Sequence, residues 1–250
     1  MTQRVRVLKL LADQKYAILE DLYIGSGSTG SKESFRVSLY QFGLSRFSFP
    51  AVVGGVWHIA NPQIYQELEQ VFPKEPLYKS TDIHFNEIYH ALGMNKIRHS
   101  LLNGGKLSIK SWYSEYSLRA MPISVRGFSY TKIPDAIFFR SLEDGKQQKC
   151  FVEYERSLKN RERYRNIFKF YANRKDVSRG SVLFICQNKY IQNELLKIRK
   201  EVFSKGIFND VEEIFKIINL DAVIASMEEG SVNEQSNGDG SIQLVVNDVR

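Results

Sequence analysis

The sequence predicts a mixed α+β chain: a small helical unit closed by a β-hairpin, then a larger mixed sheet flanked by helices. Three observations point to it. Apolar residues recur at helical spacing over the first 42 positions. Aromatic and β-branched runs then bracket Gly54-Gly55, a hairpin signal. Beyond residue 106, short apolar runs of strand length alternate with longer amphipathic segments. The 250 residues are 43% hydrophobic and 25% charged, a globular composition with enough length to bury a core.

In the first unit, Val5, Leu8, Leu10 and Leu11 supply the apolar face of a helix near residues 3–14, and Ile18–Tyr23 forms a short second helix. The GSGSTG stretch, Gly25–Gly30, breaks the pattern. Ser31 caps a third helix ending near Phe42, with Phe35, Leu39 and Phe42 inward and Lys32 and Arg36 outward. Strand residues Phe47–Val53, a Gly54-Gly55 turn and a return strand follow, then a closing helix over Gln63–Phe72. Three short helices and a hairpin are the winged helix-turn-helix plan. Pro73 and Pro76 bracket a linker, which sets domain boundaries at 1–76 and 77–226.

The second unit opens with a helix over Asp82–Leu102, whose Phe85, Ile88, Tyr89, Leu92, Ile97, Leu101 and Leu102 face a core and whose Gly93 is a weak point. Strands are expected at Lys106–Tyr113, Tyr116–Met121, Lys132–Phe139 and Gln148–Tyr154, with a turn at Asp144-Gly145. A helix at about Lys159–Asn173, a strand at Ser181–Gln187, a helix at Tyr190–Ser204 and a helix and strand within Val211–Ser226 complete the sheet. The tail, 227–250, is rich in Gly, Ser, Asn and Glu and reads as disordered and acidic.

Charge divides along the chain. Of 35 basic and 28 acidic residues, six acids and one base fall in 221–250, which leaves 34 bases against 22 acids before it. The densest basic segment carries Arg156, Lys159, Arg161, Arg163, Arg165 and Lys169, with Arg161, Arg165 and Lys169 four apart on one helix flank. An acidic partner is implied, nucleic acid first, bound through Lys32 and Arg36 on the third helix and through Arg156, Lys159, Arg161 and Arg165. The bland alternative is a set of solvated helix faces. Cys150 and Cys186 sit in apolar runs and are expected as buried free thiols of a cytoplasmic protein. No run of about 18 apolar residues suggests a membrane span, and the N-terminus lacks the apolar stretch of a signal peptide. The four histidines do not pair with cysteine at zinc-ligand spacing.

Chemistry concentrates between Lys132 and Lys175. Pro134-Asp135-Ala136 starts a strand, and Phe151-Val152-Glu153-Tyr154-Glu155 forms the next. Alternation puts Glu153 and Glu155 on one strand face, roughly 6–7 Å apart, within reach of Asp135 if the two strands pair. Three such carboxylates repel one another unless a divalent cation or a nearby side-chain cation compensates them. The competing reading is a turn aspartate and two solvated glutamates.

Pro134-Asp135 followed by Glu153-x-Glu155 resembles the PD-(D/E)xK nuclease core, with Glu155 where that pattern usually has lysine. The order of winged helix, Trp112-Tyr113-Ser114-Glu115, Pro134-Asp135-Ala136, Glu153-x-Glu155-Arg156 and a basic helix resembles, over roughly residues 5–200, the replication-relaxation family, which includes MobC-type relaxases of mobilisable plasmids. The resemblance implies a restriction-endonuclease-like sheet and site- and strand-specific nicking of DNA at an origin of transfer. It implies Mg²⁺ or Mn²⁺ on Asp135, Glu153 and Glu155, and Glu115 as a fourth acid. Lys169 or Arg156 would replace the missing lysine, and a conjugation coupling protein would be a further partner. Histidine-cluster relaxase chemistry is not expected, because His84, His90 and His99 lack H-x-H spacing. DNA binding without cleavage, as an accessory factor or transcriptional regulator, and an orthodox restriction or repair nuclease are the alternatives.

Overall fold

A computed structural model describes residues 1–50, 52–75, 77–103, 112–121, 132–141, 146–174, 180–204 and 209–225. The acidic tail, the Asp144-Gly145 turn, most of Lys106–Tyr113 and the side chain of Leu102 lie outside them.

The chain begins with α1 (Gln3–Gln14), α2 (Leu19–Gly25) and α3 (Lys32–Gln41), then β1 (Ser45–Phe49), β2 (Val52–His58) and α4 (Gln63–Val71). Thr2 and Ser31 cap α1 and α3 by accepting the N–H groups of Val5 and Ser34. Leu8, Leu11, Leu22, Phe35, Leu39, Trp57 and Leu68 meet in one core. Trp57 also pairs through both backbone groups with Ala17, which ties the α1–α2 connection to β2.

The hairpin turns earlier than expected. Phe49 pairs with Val52, and Gly54 and Gly55 lie inside β2 at φ of +81° and +75°. They form an irregularity where the register shifts between Phe47 and Phe49. A Cβ on Gly55 would sit 2.6 Å from the Phe47 carbonyl oxygen, so the glycines serve a bulge and not the turn.

The second unit runs α5 (Phe85–Asn103), β3 (Trp112–Ser114), α6 (Glu115–Ala120), β4 (Ala136–Ser141), β5 (Gln147–Glu155), α7 (Arg161–Ala172), β6 (Ser181–Cys186), α8 (Lys189–Phe203), a 3₁₀ turn (Asn209–Ile214), β7 (Phe215–Asn219) and a helical stretch at 220–225. Five strands lie in the order β3-β4-β5-β6-β7. The first three are antiparallel, and β5, β6 and β7 are parallel, so α7 and α8 act as crossovers. One sheet face packs Phe151, Phe184 and Phe215 against α7 and α8. The other packs Val152, Tyr154 and Ile185 against Met94, Ile97 and Leu101 of α5 and Leu220 and Val223.

The strand expected at Tyr116–Met121 is instead helical, because Ser114 accepts the Ser117 N–H and caps α6, which Glu115 and Arg119 brace one turn apart. The strand and helix expected within Val211–Ser226 are both present, as β7 and the stretch at 220–225. In α5, Phe85 and Tyr89 are exposed at the first turns, where their rings lie against Phe49 of the hairpin. Cys150 and Cys186 are buried free thiols, as expected. No helix among the described residues is long and apolar enough to cross a membrane.

Gly93 marks where α5 meets the sheet: a Cβ there would fall 2.2 Å from the Tyr154 ring. Gly93→Ala therefore lowers stability by about 1–3 kcal/mol, despite the ~1 kcal/mol gain in helix propensity. Denaturant unfolding in a Tyr154→Ala background, where the clash is gone, should show the penalty abolished.

The first unit is joined to α5 by buried polar contacts. Asn95 donates to the Tyr16 carbonyl at 2.8 Å and to Asp21 at 3.1 Å, and His99 Nδ1 lies 3.5 Å from Asp21. Burial raises Asp21 to about 6, and burial with the Arg98 charge lowers His99 to about 4. The raised Asp21 contributes stability that is lost as pH rises from about 4 through 6. The lowered His99 costs stability as pH falls from 6.5 through about 4. The two slopes oppose each other in the parent protein. Chemical denaturation between pH 4 and 6.5 should show stability rising with pH in Asp21→Asn and falling with pH in His99→Gln, each by on the order of 2 kcal/mol. Equal slopes in the two variants would refute the pairing.

Candidate functional site

The site forms where β4 starts and β5 ends. The Asp135 N–H donates to Val152 O at 3.0 Å, which extends the β4–β5 ladder by one residue and brings Asp135 beside Glu153. The Asp135 carboxylate accepts the Tyr154 N–H at 2.7 Å through Oδ2, and its Oδ1 lies 3.4 Å from His90 Nε2. The predicted approach of Asp135 to the glutamate strand is present.

Glu153 and Glu155 are not a solvated face. Each is only 1% exposed, on the side of the sheet covered by α7. Lys132 Nζ lies 2.6 Å from Glu153 Oε2, while the Tyr171 hydroxyl donates to Glu153 Oε1. Lys159 Nζ lies 2.8 Å from Glu155, and the Tyr164 hydroxyl donates to Glu155 Oε2 at 3.0 Å. Asn160 caps α7 by accepting the Arg163 N–H, and the helix periodicity then points Tyr164 and Tyr171 at the sheet.

The electrostatics follow from these partners. Burial would raise Asp135, but His90, Lys132 and the Tyr154 N–H overcome it and hold the carboxyl down at about 2. Burial raises Glu153 to about 7, with Lys132 opposing and Asp135 reinforcing. Burial also raises Glu155 against the pull of Lys159. Two neighbouring carboxyls are thus driven apart, one ionised and one titrating near neutrality, a pattern suited to proton transfer.

A divalent cation does not fit Asp135, Glu153 and Glu155 as arranged. Both oxygens of each glutamate already accept from lysine and tyrosine. Asp135 has a second set of neighbours: its carboxylate, His90 and Glu115 place ligand atoms within 4.8 Å of one another. Glu115 comes from the first turn of α6, and its N–H donates to Asp135 O at 2.8 Å. That set has the donor chemistry for a cation.

Lys169 is exposed on α7 and makes no ion pair among the described residues, whereas Lys132 and Lys159 are the lysines in contact with Glu153 and Glu155. Sequence reasoning missed Lys132, His90, Tyr164 and Tyr171: the tyrosines share the apolar spacing of Ile167 and Phe168, which hides their hydroxyl role, and His90 carries no local signal. The expected DNA contacts are mostly paired. Arg161 and Arg165 reach Glu201 of α8, Arg165 also reaches Glu162, Lys32 reaches Glu20, Arg36 reaches Glu33, and Arg156 lies over the Tyr89 ring. Such exposed ion pairs are weak and exchange readily for phosphate. Arg163 and Lys169 are the exposed cations of α7 without an ion pair among the described residues.

Lys132→Met removes the cation that opposes burial of Glu153. Its effect depends on pH: Glu153 is neutral at pH 6, and a raised carboxyl loses stabilisation as pH rises through its folded value. Urea unfolding should show a deficit that grows from pH 6 to pH 8.5, reaching about 3 kcal/mol, and Glu153→Gln in the same chain should remove most of that growth.

No family model matches the chain, and none of the curated proteins or solved structures compared with it is significantly similar.

Proposed function

We propose that the protein binds double-stranded DNA and nicks it in a metal-dependent, site-specific reaction of the relaxase kind, at an origin of transfer of a plasmid or integrative element. The observation that carries this reading is the placement of Asp135 beside Glu153-x-Glu155 with Lys132 on Glu153. Three further features support it. Three helices and a hairpin present Lys32 and Arg36 on the outer face of α3, as a winged helix would. Three antiparallel strands followed by two parallel ones are consistent with an endonuclease-like sheet. Arg161, Arg163 and Lys169 are exposed on α7, a basic surface that a phosphate backbone would contact. The origin of transfer and a coupling-protein partner rest on the family resemblance alone, and a cytoplasmic location rests on the free cysteines.

In this reading a divalent cation beside Asp135 would polarise the phosphodiester and acidify the attacking water. Asp135 stays ionised to hold it. Lys132 compensates the buried Glu153 and, with His90, helps keep Asp135 ionised. A second reading, DNA binding without cleavage, is favoured by the saturation of Glu153 and Glu155 with hydrogen-bond donors.

Supercoiled plasmid carrying candidate transfer origins separates the two. With Mn²⁺ or Mg²⁺ the parent protein should produce open circles. Asp135→Ala should reduce nicking at least 100-fold while DNA affinity changes less than threefold. Lys32→Glu/Arg36→Glu should weaken binding at least tenfold and flatten its salt dependence. Tight binding with no open circles in either metal selects the second reading.

A further inference from the structure

We propose that the protein holds one first-row divalent transition-metal ion, of the Mn²⁺ type, on His90, Glu115 and Asp135, and that Gln14 of the N-terminal unit lines the same site. The inference deepens the nicking reading and rests on it for the ion's role, but the binding itself needs no DNA.

The ligand atoms come from three places in the fold: the second turn of α5, the start of α6 and the residue preceding β4. His90 Nε2 and Asp135 Oδ1 are already 3.4 Å apart, and all three groups lie within 4.8 Å. Two ligands at about 2.1 Å from one ion stand at most ~4.2 Å apart, so side-chain adjustments of a few tenths of an ångström close the set. The ion takes the place of the proton between His90 Nε2 and Asp135 Oδ1, which now face each other as an ion pair. Asp135 is oriented through Oδ2 by the Tyr154 N–H, which leaves Oδ1 toward His90. Glu115 is held through Oε1 by Arg119, which leaves Oε2. The backbone bond from the Glu115 N–H to Asp135 O locks the two acidic residues together.

A second observation points independently to an occupant. These three residues line a small cleft with Gln14, Met94, Ser114 and Tyr116. Gln14 is 2% exposed, and its side-chain Nε2 is buried with no hydrogen-bond partner among the described residues. A buried amide left unpaired costs free energy, and an ion-bound water in the cleft would accept its hydrogen. The cleft admits about one water-sized sphere, which suits one small occupant and excludes an organic cofactor. One imidazole with two carboxylates is a mixed donor set. It favours Mn²⁺ or another transition ion over Mg²⁺, which prefers oxygen alone.

The test is Mn²⁺ titration of the full chain without DNA, followed by electron paramagnetic resonance. One ion per chain is expected, with a nitrogen coupling from imidazole in the spin-echo modulation. His90→Gln should abolish that coupling and weaken binding at least tenfold, and Glu115→Gln should weaken it similarly. Gln14→Leu should weaken it a few-fold, and Glu153→Gln should change it less than threefold. Circular dichroism and thermal unfolding of each variant establish that it is folded. Absence of stoichiometric Mn²⁺, absence of the nitrogen coupling in the parent, or loss of the ion in folded Glu153→Gln with retention in folded His90→Gln would each overturn the assignment. A bound, nitrogen-coupled ion in a protein that nicks no plasmid supports this site and refutes the nicking reading alone.

Discussion

The arrangement of the second unit depends on how two carboxylates are kept inside it. Glu153 and Glu155 lie on the central strand β5, and each is 1% exposed. Burying an ionised carboxylate is strongly unfavourable unless it is paired and hydrogen-bonded. Each glutamate is therefore given one lysine and one tyrosine. Tyr164 and Tyr171 come from a single face of α7, so the same helix that closes the apolar core also supplies hydroxyls to the acids. The crossover from β5 through α7 to β6 is thereby held in register by polar as well as apolar contacts.

Asp135 sits at the crossing of two networks. Through the β4–β5 ladder it neighbours Glu153 and, by charge, Lys132. Through His90 and Glu115 it faces the opposite side, toward α5 and α6. The ionised Asp135 raises the proton affinity of Glu153, and His90 and Lys132 keep Asp135 ionised. The division of labour between two adjacent carboxyls thus follows from which cations each can reach.

The N-terminal unit is packed onto this site. The backbone carbonyl and carboxylate of Asp13 receive the hydroxyls of Ser114 and Ser117, at the strand-to-helix step that positions Glu115. Lys15, almost fully buried, reaches Glu87 at 2.9 Å, and Tyr116 reaches the same carboxylate at 3.3 Å. Asp21, Asn95 and His99 add a second buried contact. A displacement of α1 would therefore be felt at Glu115 and in the cleft that Gln14 lines.

Periodicity and punctuation alone determined the helices of the first unit and the β5–α7–β6–α8 succession, because these segments bury a regular apolar face. They also determined that Asp135, Glu153 and Glu155 would lie together, since strand alternation and one hairpin suffice for that. Only the tertiary structure decided what those acids meet. Lys132 and His90 are distant in sequence from their partners, and Gln14 is more distant still. Their relation depends on how α5, α6 and the N-terminal unit pack, which no local pattern encodes. The same limit explains the local errors. Gly54-Gly55 matched a turn signal, but the Phe47 carbonyl across the hairpin required glycine inside the strand. Tyr116–Met121 matched a strand by its aromatic and apolar residues. Yet the Ser114 hydroxyl, fixed by Asp13 from a distant helix, was free to cap a helix there instead.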